Sequence, residues 1–379
     1  MTPSEADCLI AVNRVPNVGA AKVAALRRAF GSLAAVREVP GEEVALRCKE
    51  IGPKLSQQIV EALNSDFAEA ERERAQAQHV QILTAQDAAW PAALRELSSP
   101  PLCLYCAGDV RLLAQTQVAM VGTRRASVYG MEQARRFALG VAAAGCHVTS
   151  GLAEGIDSAA HEGALQAGEV GTAAGKTIAV IGAALDRLYP ASRKPLARQI
   201  VQAGGLVVSE YAFGRNADRQ TFPARNRLVA ALARAVLAVE TPHKSGTMIT
   251  IELAEALARP LFALPGRLDW PSFAGNHALI RSARATLATH PEEILSALGS
   301  LPLGQGSAAA EVPALPELTG DERRIYEATT LDGVSLDALC ASTGLPINEV
   351  MNLAIALQMR RRLRALPGGL VARVPGARG

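Results

Sequence analysis

The stretch from Gln117 to Asp157 limits the possible folds more than any other part of the chain. An apolar run, Val118-Ala119-Met120-Val121, ends on Gly122-Thr123-Arg124-Arg125, and a helical pattern follows. A second apolar run, Cys146-His147-Val148-Thr149, ends on Ser150-Gly151-Leu152-Ala153-Glu154-Gly155-Ile156-Asp157. Strands buried on both faces of a parallel sheet read as continuous apolar runs. Glycine directly after such a strand lets backbone N–H groups approach an anion at the N-terminus of the next helix. Both glycine turns then fall on the carboxyl edge of the sheet, where open α/β sheets bind ligands. The spacing differs from the dinucleotide G-x-G-x-x-G, and no G-x-x-x-x-G-K-[ST] occurs, so the pattern predicts an anion site without an NAD or ATP cofactor.

The alternation continues. Apolar runs at 118–121, 147–149, 177–181, 206–209, 235–240 and 261–264 are separated by helical patterns at 129–144, 158–167, 195–203, 223–233 and 249–258. This predicts an α/β domain over 79–298 with a doubly wound sheet. An edge strand is expected at 79–83, another strand at 102–107, and a loop at 169–175. Residues 1–78 read as helical, with two related breaks at Val15-Pro16-Asn17-Val18-Gly19-Ala20 and Glu50-Ile51-Gly52-Pro53-Lys54. That is a helix-hairpin-helix pattern in duplicate, suited either to a phosphate or to a plain turn between core helices. Residues 299–317, rich in Gly, Pro, Ala and Ser, are a linker. Residues 318–379 read as three helices and a short β-ribbon around Pro367-Gly368-Gly369, a winged helix. Its recognition segment, Pro346-Ile347-Asn348-Glu349-Val350-Met351, lacks arginine. The cluster Arg360, Arg361, Arg362 and Arg364 suits either phosphates or a solvated helix end.

The net charge of +3 says little, so a nucleic-acid partner has to be argued from where cations cluster. No apolar run approaches the length of a membrane span. The N-terminal MTPSEADCLI lacks the basic region and apolar run of a signal peptide, and a cytoplasmic protein is expected. The six cysteines are scattered; the one C-x-x-C, Cys103 with Cys106, lies in an apolar run and predicts buried thiols with no metal.

Glycine or arginine clusters lie just past the predicted strand ends: Gly122 to Arg125, Ser150-Gly151, Gly182 to Pro190, Phe222 to Arg227 and His243 to Thr247. One sheet edge would gather Arg124, Arg125, Arg187, Arg219, Arg225, Arg227 and Lys244. A mononucleotide needs one phosphate site, whereas several in a row suit a polynucleotide backbone. Phe222 beside the Arg-Asn-Arg run is a candidate stacking platform and equally a candidate core residue. Asp157 with His161 could serve a hydrolase, or Asp157 could cap its helix while His161 packs in the core.

At these residues the chain resembles the DNA-processing protein A family (DprA, or Smf). The stretches that carry the resemblance are VGTRRASVYG, VTSGLAEGIDSAAHEGAL, AVIGAALDRLYP, FPARNRLVAAL, HKSGTMITIELA and LPGRLDWPSFAGNHALIRSAR. The resemblance implies an extended Rossmann-like domain, a helix-hairpin-helix or sterile-alpha-motif-like start and a winged-helix end. It implies single-stranded DNA binding without sequence preference, a homodimer through the Rossmann-like domain, RecA loading in natural transformation and recombination, and no enzymatic turnover. Carried over by position, Gly122, Thr123 and Arg124 match a phosphate-binding turn, and Ser150 and Gly151 match a second. Arg225, Asn226 and Arg227 match an Arg-Asn-Arg run, and Lys244, Ser245 and Gly246 match a Lys-Ser-Gly turn. Arg219 and Phe222 are assigned to backbone and base contact. The rival reading is a nucleotide phosphoribohydrolase on a related fold, from the likeness of Ser245-Gly246-Thr247 and Glu252 to that group's GGxGT…E turn; the second glycine is missing.

Overall fold

A computed structural model of the chain describes residues 4–170, 174–299, 318, 320–331, 333–360, 362–366 and 368–374. Residues 1–301 form one compact unit and residues 302–379 a second. The first unit opens with helices α1 (Glu5–Asn13), α2 (Ala20–Phe30), α3 (Leu33–Val36), α4 (Gly41–Arg47), α5 (Pro53–Leu63) and α6 (Phe67–Ala77). The two sequence breaks become the starts of α2 and α5. Gly19 and Gly52 are their N-caps, and Pro53 fills the first position of α5, where its missing N–H costs nothing.

Strands β1 (Val80–Thr84) and β2 (Cys103–Gly108) are followed by β3 (Gln117–Val121), helix α7 (Val128–Ala143), β4 (His147–Ser150), α8 (Ile156–Val170), β5 (Thr177–Val180), α9 (Lys194–Gln202) and β6 (Leu206–Ser209). Helix α10 (Thr221–Leu232), β7 (Ala235–Ala238), α11 (Gly246–Ala256), β8 (Leu261–Ala263), α12 (Ala274–Arg281), β9 (Thr286–Leu287) and α13 (Pro291–Ala297) complete the unit. Among the described residues these strands form one sheet in the order β1-β2-β6-β5-β4-β3-β7-β8-β9, with β1 and β2 antiparallel and the rest parallel. The chain leaves β3 toward β4, β5 and β6, then returns to lay β7 against the other side of β3. That reversal is the topological switch point where ligand crevices form in open sheets.

Alternate residues of one strand feed opposite helical layers, as a period of two requires. Ala119, Val121, Val236 and Ala238 pack against Leu228–Leu232 of α10 and Ile251 and Ala254 of α11. Val118, Met120, Ala235 and Leu237 pack against Phe137 and Val141 of α7 and Ala160 and Ala164 of α8. On that second face α9 covers Ala179 and Val207, and the N-terminal helices cover Val80, Cys103 and Tyr105. Cys103 and Cys106 therefore point into different cores and cannot share a metal. The N-terminal helices also hold the sheet edge through polar contacts. Phe213 N–H donates to the buried Glu71 carboxylate at 2.7 Å, and Asn13 Nδ2 donates to Glu210 O at 3.0 Å.

The structure revises several sequence expectations. Glu169 and Val170, placed in a loop at 169–175, belong to α8; residues 171–173 lie outside the described residues. Helix α10 starts at Thr221, ahead of the expected 223, so Phe222 joins Arg225, Asn226 and Arg227 on it, and the cluster does not directly follow β6, which ends at Ser209. Asp218 initiates it by accepting from Gln220 N–H (2.8 Å) and Thr221 N–H (3.0 Å), and Pro223 fits the first turn without losing a hydrogen bond. The short β9 and the helices α12 and α13 had no periodic signal long enough to read.

In the second unit, α14 (Gly320–Ala328), β10 (Val334–Ser335), α15 (Leu336–Thr343), α16 (Ile347–Met359), β11 (Leu363–Leu366) and β12 (Leu370–Arg373) make a winged helix with sheet order β10-β12-β11. Gly344, at φ 71°, ends α15 in the left-handed conformation that lets the chain turn into α16. Its core gathers Ile325, Tyr326, Leu339, Val350, Leu357 and Val371. Apart from Gly299 the sequence-based linker, 299–317, lies outside the described residues.

Candidate nucleic-acid interface

The carboxyl ends of β3, β4 and β7 open onto a cleft of about 350 Å³ at the switch point. Its first wall is the turn after β3. Thr123 N–H donates to Glu240 O at 2.8 Å and Thr123 O accepts from Ile156 N–H at 3.3 Å, so the turn is tied to the end of β7 and the start of α8. A Cβ on Gly122 would lie 2.8 Å from Ile156 Cβ and 2.9 Å from Glu240 O, so only glycine allows this approach. The buried Glu240 carboxylate accepts from Ser127 N–H (2.9 Å) and Ser127 Oγ (2.7 Å), which fixes the start of α7.

The floor is organised by Arg225. Its guanidinium is buried and donates to Gly151 O and Val180 O, filling the space that a side chain at Gly151 would need. Asp157, also buried, accepts from Ala153 N–H at 3.3 Å. Burial raises its pKa, and the nearby Arg225 charge opposes that rise. The starts of α8, α10 and α11 all face the cleft, so the positive ends of three helix dipoles converge on it. Ser245, the N-cap residue of α11, makes no capping bond, and its buried Oγ has no hydrogen-bond partner among the described residues.

The rim carries cations and aromatic rings. Arg124 and Arg125 are exposed and make no ion pair with the described residues. The Arg124 guanidinium lies 4.7 Å from the centroid of the Phe222 ring, and the Tyr189 ring lies 6.0 Å beyond, tilted by 54°. Arginine, phenylalanine and exposed tyrosine thus form a ladder along one lip. Such a surface holds an anion by charge and a planar base by stacking, without reading the base.

The family model for DNA recombination-mediator protein A matches residues 81–299, and that for the DprA winged helix domain matches residues 309–369. The chain belongs to the DNA recombination-mediator protein A family, DprA. The putative DNA processing protein DprA of Mycobacterium tuberculosis is 33% identical over 391 residues, 97% of each chain. Protein Smf of Escherichia coli is 33% identical over 303 residues, 76% of each chain. The X-ray structure of DprA from Streptococcus pneumoniae superposes with a TM-score of 0.64 at 30% identity, covering 78% of this chain and 98% of that one. A structure of DprA from Helicobacter pylori, described for its single-stranded DNA binding mode, superposes with a TM-score of 0.51 at 33% identity, covering 58% and 97%.

In this DprA family member the cleft brings together Gly122, Thr123, Arg124, Gly151, Phe222, Arg225, Asn226, Ser245 and Gly246 from four distant segments. Four other expected contact residues do not line it. Ser150 is fully buried and its hydroxyl donates to Met120 O at 2.7 Å, so its side chain braces β4 against β3. Arg227 points away from the cleft into an ion pair with Glu210, because successive odd positions of a helix diverge by about 200°. Arg219 and Lys244 are exposed and without ion pairs among the described residues, outside the cleft lining. Arg225 lines the cleft but is committed to backbone carbonyls. The sequence marks the Gly182–Pro190 cluster but not Tyr189 within it; its nearness to Phe222 joins the β5–α9 connection to α10, a relation no local pattern carries.

The acid–base alternative loses its base. His161 is fully buried, its Nδ1 is 2.7 Å from Thr177 Oγ1, and burial pushes its pKa down to about 3. It is a neutral core residue. Among the described residues no three His, Cys, Asp or Glu side chains gather as a metal site would need, and no helix is long and apolar enough to cross a membrane. In the winged helix, Arg360 pairs with Glu322 at 2.9 Å, Arg362 is buried and Arg364 donates to Leu331 O at 3.4 Å; Arg361 lies outside the described residues. Arg360 is thus tied to α14 and Arg364 to the Leu331 carbonyl within the domain. The exposed side of α16 presents Ile347, Met351 and Ile355 and no base-reading arginine.

Proposed function

We propose that the chain binds single-stranded DNA without sequence preference in the switch-point cleft and hands the strand to RecA. Arg124 and Arg125, with Arg219 and Lys244 on the flanking segments, take phosphates. The N–H groups around Gly122, Gly151 and Gly246 add backbone donors. Phe222 and Tyr189 stack bases, while Arg225, Ser150 and Arg227 hold the cleft's shape. The observation that carries this reading is the Arg124–Phe222–Tyr189 ladder on the lip of a cleft where helix dipoles converge. The Helicobacter pylori relative described for its single-stranded DNA binding mode supports it. A cytoplasmic homodimer paired through the Rossmann-like domain, protecting incoming strands during transformation and recombination, completes the proposal.

The test is fluorescence anisotropy with a labelled oligothymidylate against a duplex of equal length, with and without RecA. Steep loss of affinity with salt, weak competition by duplex and a slower-tumbling ternary species are expected. Retention of the strand in molar salt would refute the phosphate reading. A phosphoribohydrolase would release free adenine from AMP. With His161 neutral and locked in the core, no release is expected by HPLC.

A further inference from the structure

The helical layer on one face of the sheet has a gap. Val80, Ala107 and Val207 lie side by side across β1, β2 and β6, because Val80 pairs with Ala107 and Ala107 with Val207. The N-terminal helices cover the sheet on one side of this row and α9 covers it on the other, leaving a groove of about 480 Å³ between them. Leu185 and Leu188 line it from the β5–α9 connection, and Ala197 and Val201 of α9 form its wall. A groove of this volume falls within the range of about 300–1,000 Å³ typical of ligand pockets.

Its charges are one-sided. Lys194 and Arg198, one turn apart on α9, line the groove and make no ion pair or hydrogen bond with the described residues. Among the described residues no acidic side chain lines it. The nearest in sequence, Asp186, is held by Arg74 at 3.5 Å and accepts from Gly214 N–H at 2.9 Å. The arrangement opposes helix stability. The first turn of α9 contains no acid, Lys194 occupies its first position at the positive end of the dipole, and like charges four residues apart repel. A local rule broken without a compensating contact marks a functional surface more often than a structural one.

We infer that this groove docks a peptide segment bearing carboxylates beside a large aliphatic or aromatic side chain. The apolar side chain lies over half-buried Ala107, between the buried Val80 and Val207, and against exposed Val201, and the carboxylates meet Lys194 and Arg198. Nucleic acid fits less well, because the lining has no aromatic ring on which a base could stack. The site is separate from the switch-point cleft, so the two stand or fall independently.

The test uses the full chain and a fluorescein-labelled peptide, Asp-Asp-Asp-Leu-Leu-Phe, read by anisotropy at low salt. Saturable binding is expected, with about a tenfold loss in the Lys194→Glu/Arg198→Glu variant, as removal of rim charges predicts. A comparable loss is expected in Val201→Asp, which spoils the apolar wall at a partly exposed position. Both variants are expected to melt at the parent's Tm, which reports that they are folded whether or not the cleft binds DNA. Absence of saturable binding, equal binding by the variants, or equal binding of Lys-Lys-Lys-Leu-Leu-Phe would overturn the inference. Displacement of the peptide by oligothymidylate would overturn it too, by assigning the groove to the DNA path.

Discussion

Replacing Arg124 with alanine separates a phosphate-holding role from a structural one. The side chain is exposed, makes no ion pair with the described residues, and lies 4.7 Å from the centroid of the Phe222 ring. Loss of such a surface group changes fold stability by about 0.5 kcal/mol or less. Binding responds more strongly. A hydrogen bond to a charged group is worth about 1.5–3 kcal/mol, so affinity for oligothymidylate is expected to fall roughly ten- to hundredfold. Each phosphate neutralised on a single strand contributes about 0.7 to the slope of log K against log salt. The variant's slope is therefore expected to be shallower by about 0.7, making its loss of affinity between 50 and 200 mM salt roughly 2.5-fold smaller than the parent's. Anisotropy titrations at four salt concentrations, with thermal melts as the stability control, measure both quantities. An unchanged slope with affinity within twofold of the parent would place the strand elsewhere on the molecule.

Arg227→Ala is the reverse case. It leaves Glu210 buried without its cation, so a loss of about 3–5 kcal/mol in stability is expected by denaturant unfolding, with the salt slope of any folded protein unchanged. Gly151→Ala drives a methyl into the Arg225 guanidinium; a lowered Tm and lost DNA binding are expected together, and a variant that melts like the parent would show that Arg225 is not the floor of the cleft. His161 gives a pH prediction. Its folded pKa, about 3, lies below its ordinary value of 6.5, so the unfolded state takes up the proton first and stability falls as pH drops below 6.5. At pH 5 that cost is about 2 kcal/mol; comparing His161→Asn with the parent isolates it from the buried carboxyls, and parallel pH profiles would refute it. Phe222→Ala is expected to cost about 1–3 kcal/mol of binding to oligothymidylate with the salt slope retained, because it removes stacking and no charge.

The sheet was legible because its strands are continuous apolar runs punctuated by glycine, and the helices between them are long enough to show their period. The order of the glycine turns along one edge follows from the same alternation, which is why Gly122, Gly151 and Gly246 could be assigned together. The roles of the arginines were not legible. Arg124 and Arg225 both follow apolar segments, yet one is solvated on a lip and the other is buried under Gly151. The difference arises from which turn of α10 faces β4 and β5, a relation between segments about 75 residues apart. Arg227 and Ser150 illustrate the same limit, since a side chain's direction depends on where its element begins and what packs against it. Tyr189 could not be assigned for that reason either.

The order of residues alone determined that this chain builds a doubly wound sheet with glycine turns on its carboxyl edge, followed by a winged helix. Those features rest on local periodicity and backbone freedom, which are written within a dozen residues at a time. Tertiary structure alone decided which cations remain free for a ligand, which are spent on carbonyls and carboxylates, and where the helical layer leaves a groove. Arg225 meets Gly151 O at a separation of 74 residues and Arg227 meets Glu210 at 17, so the partners that decide their roles come from other elements of the fold.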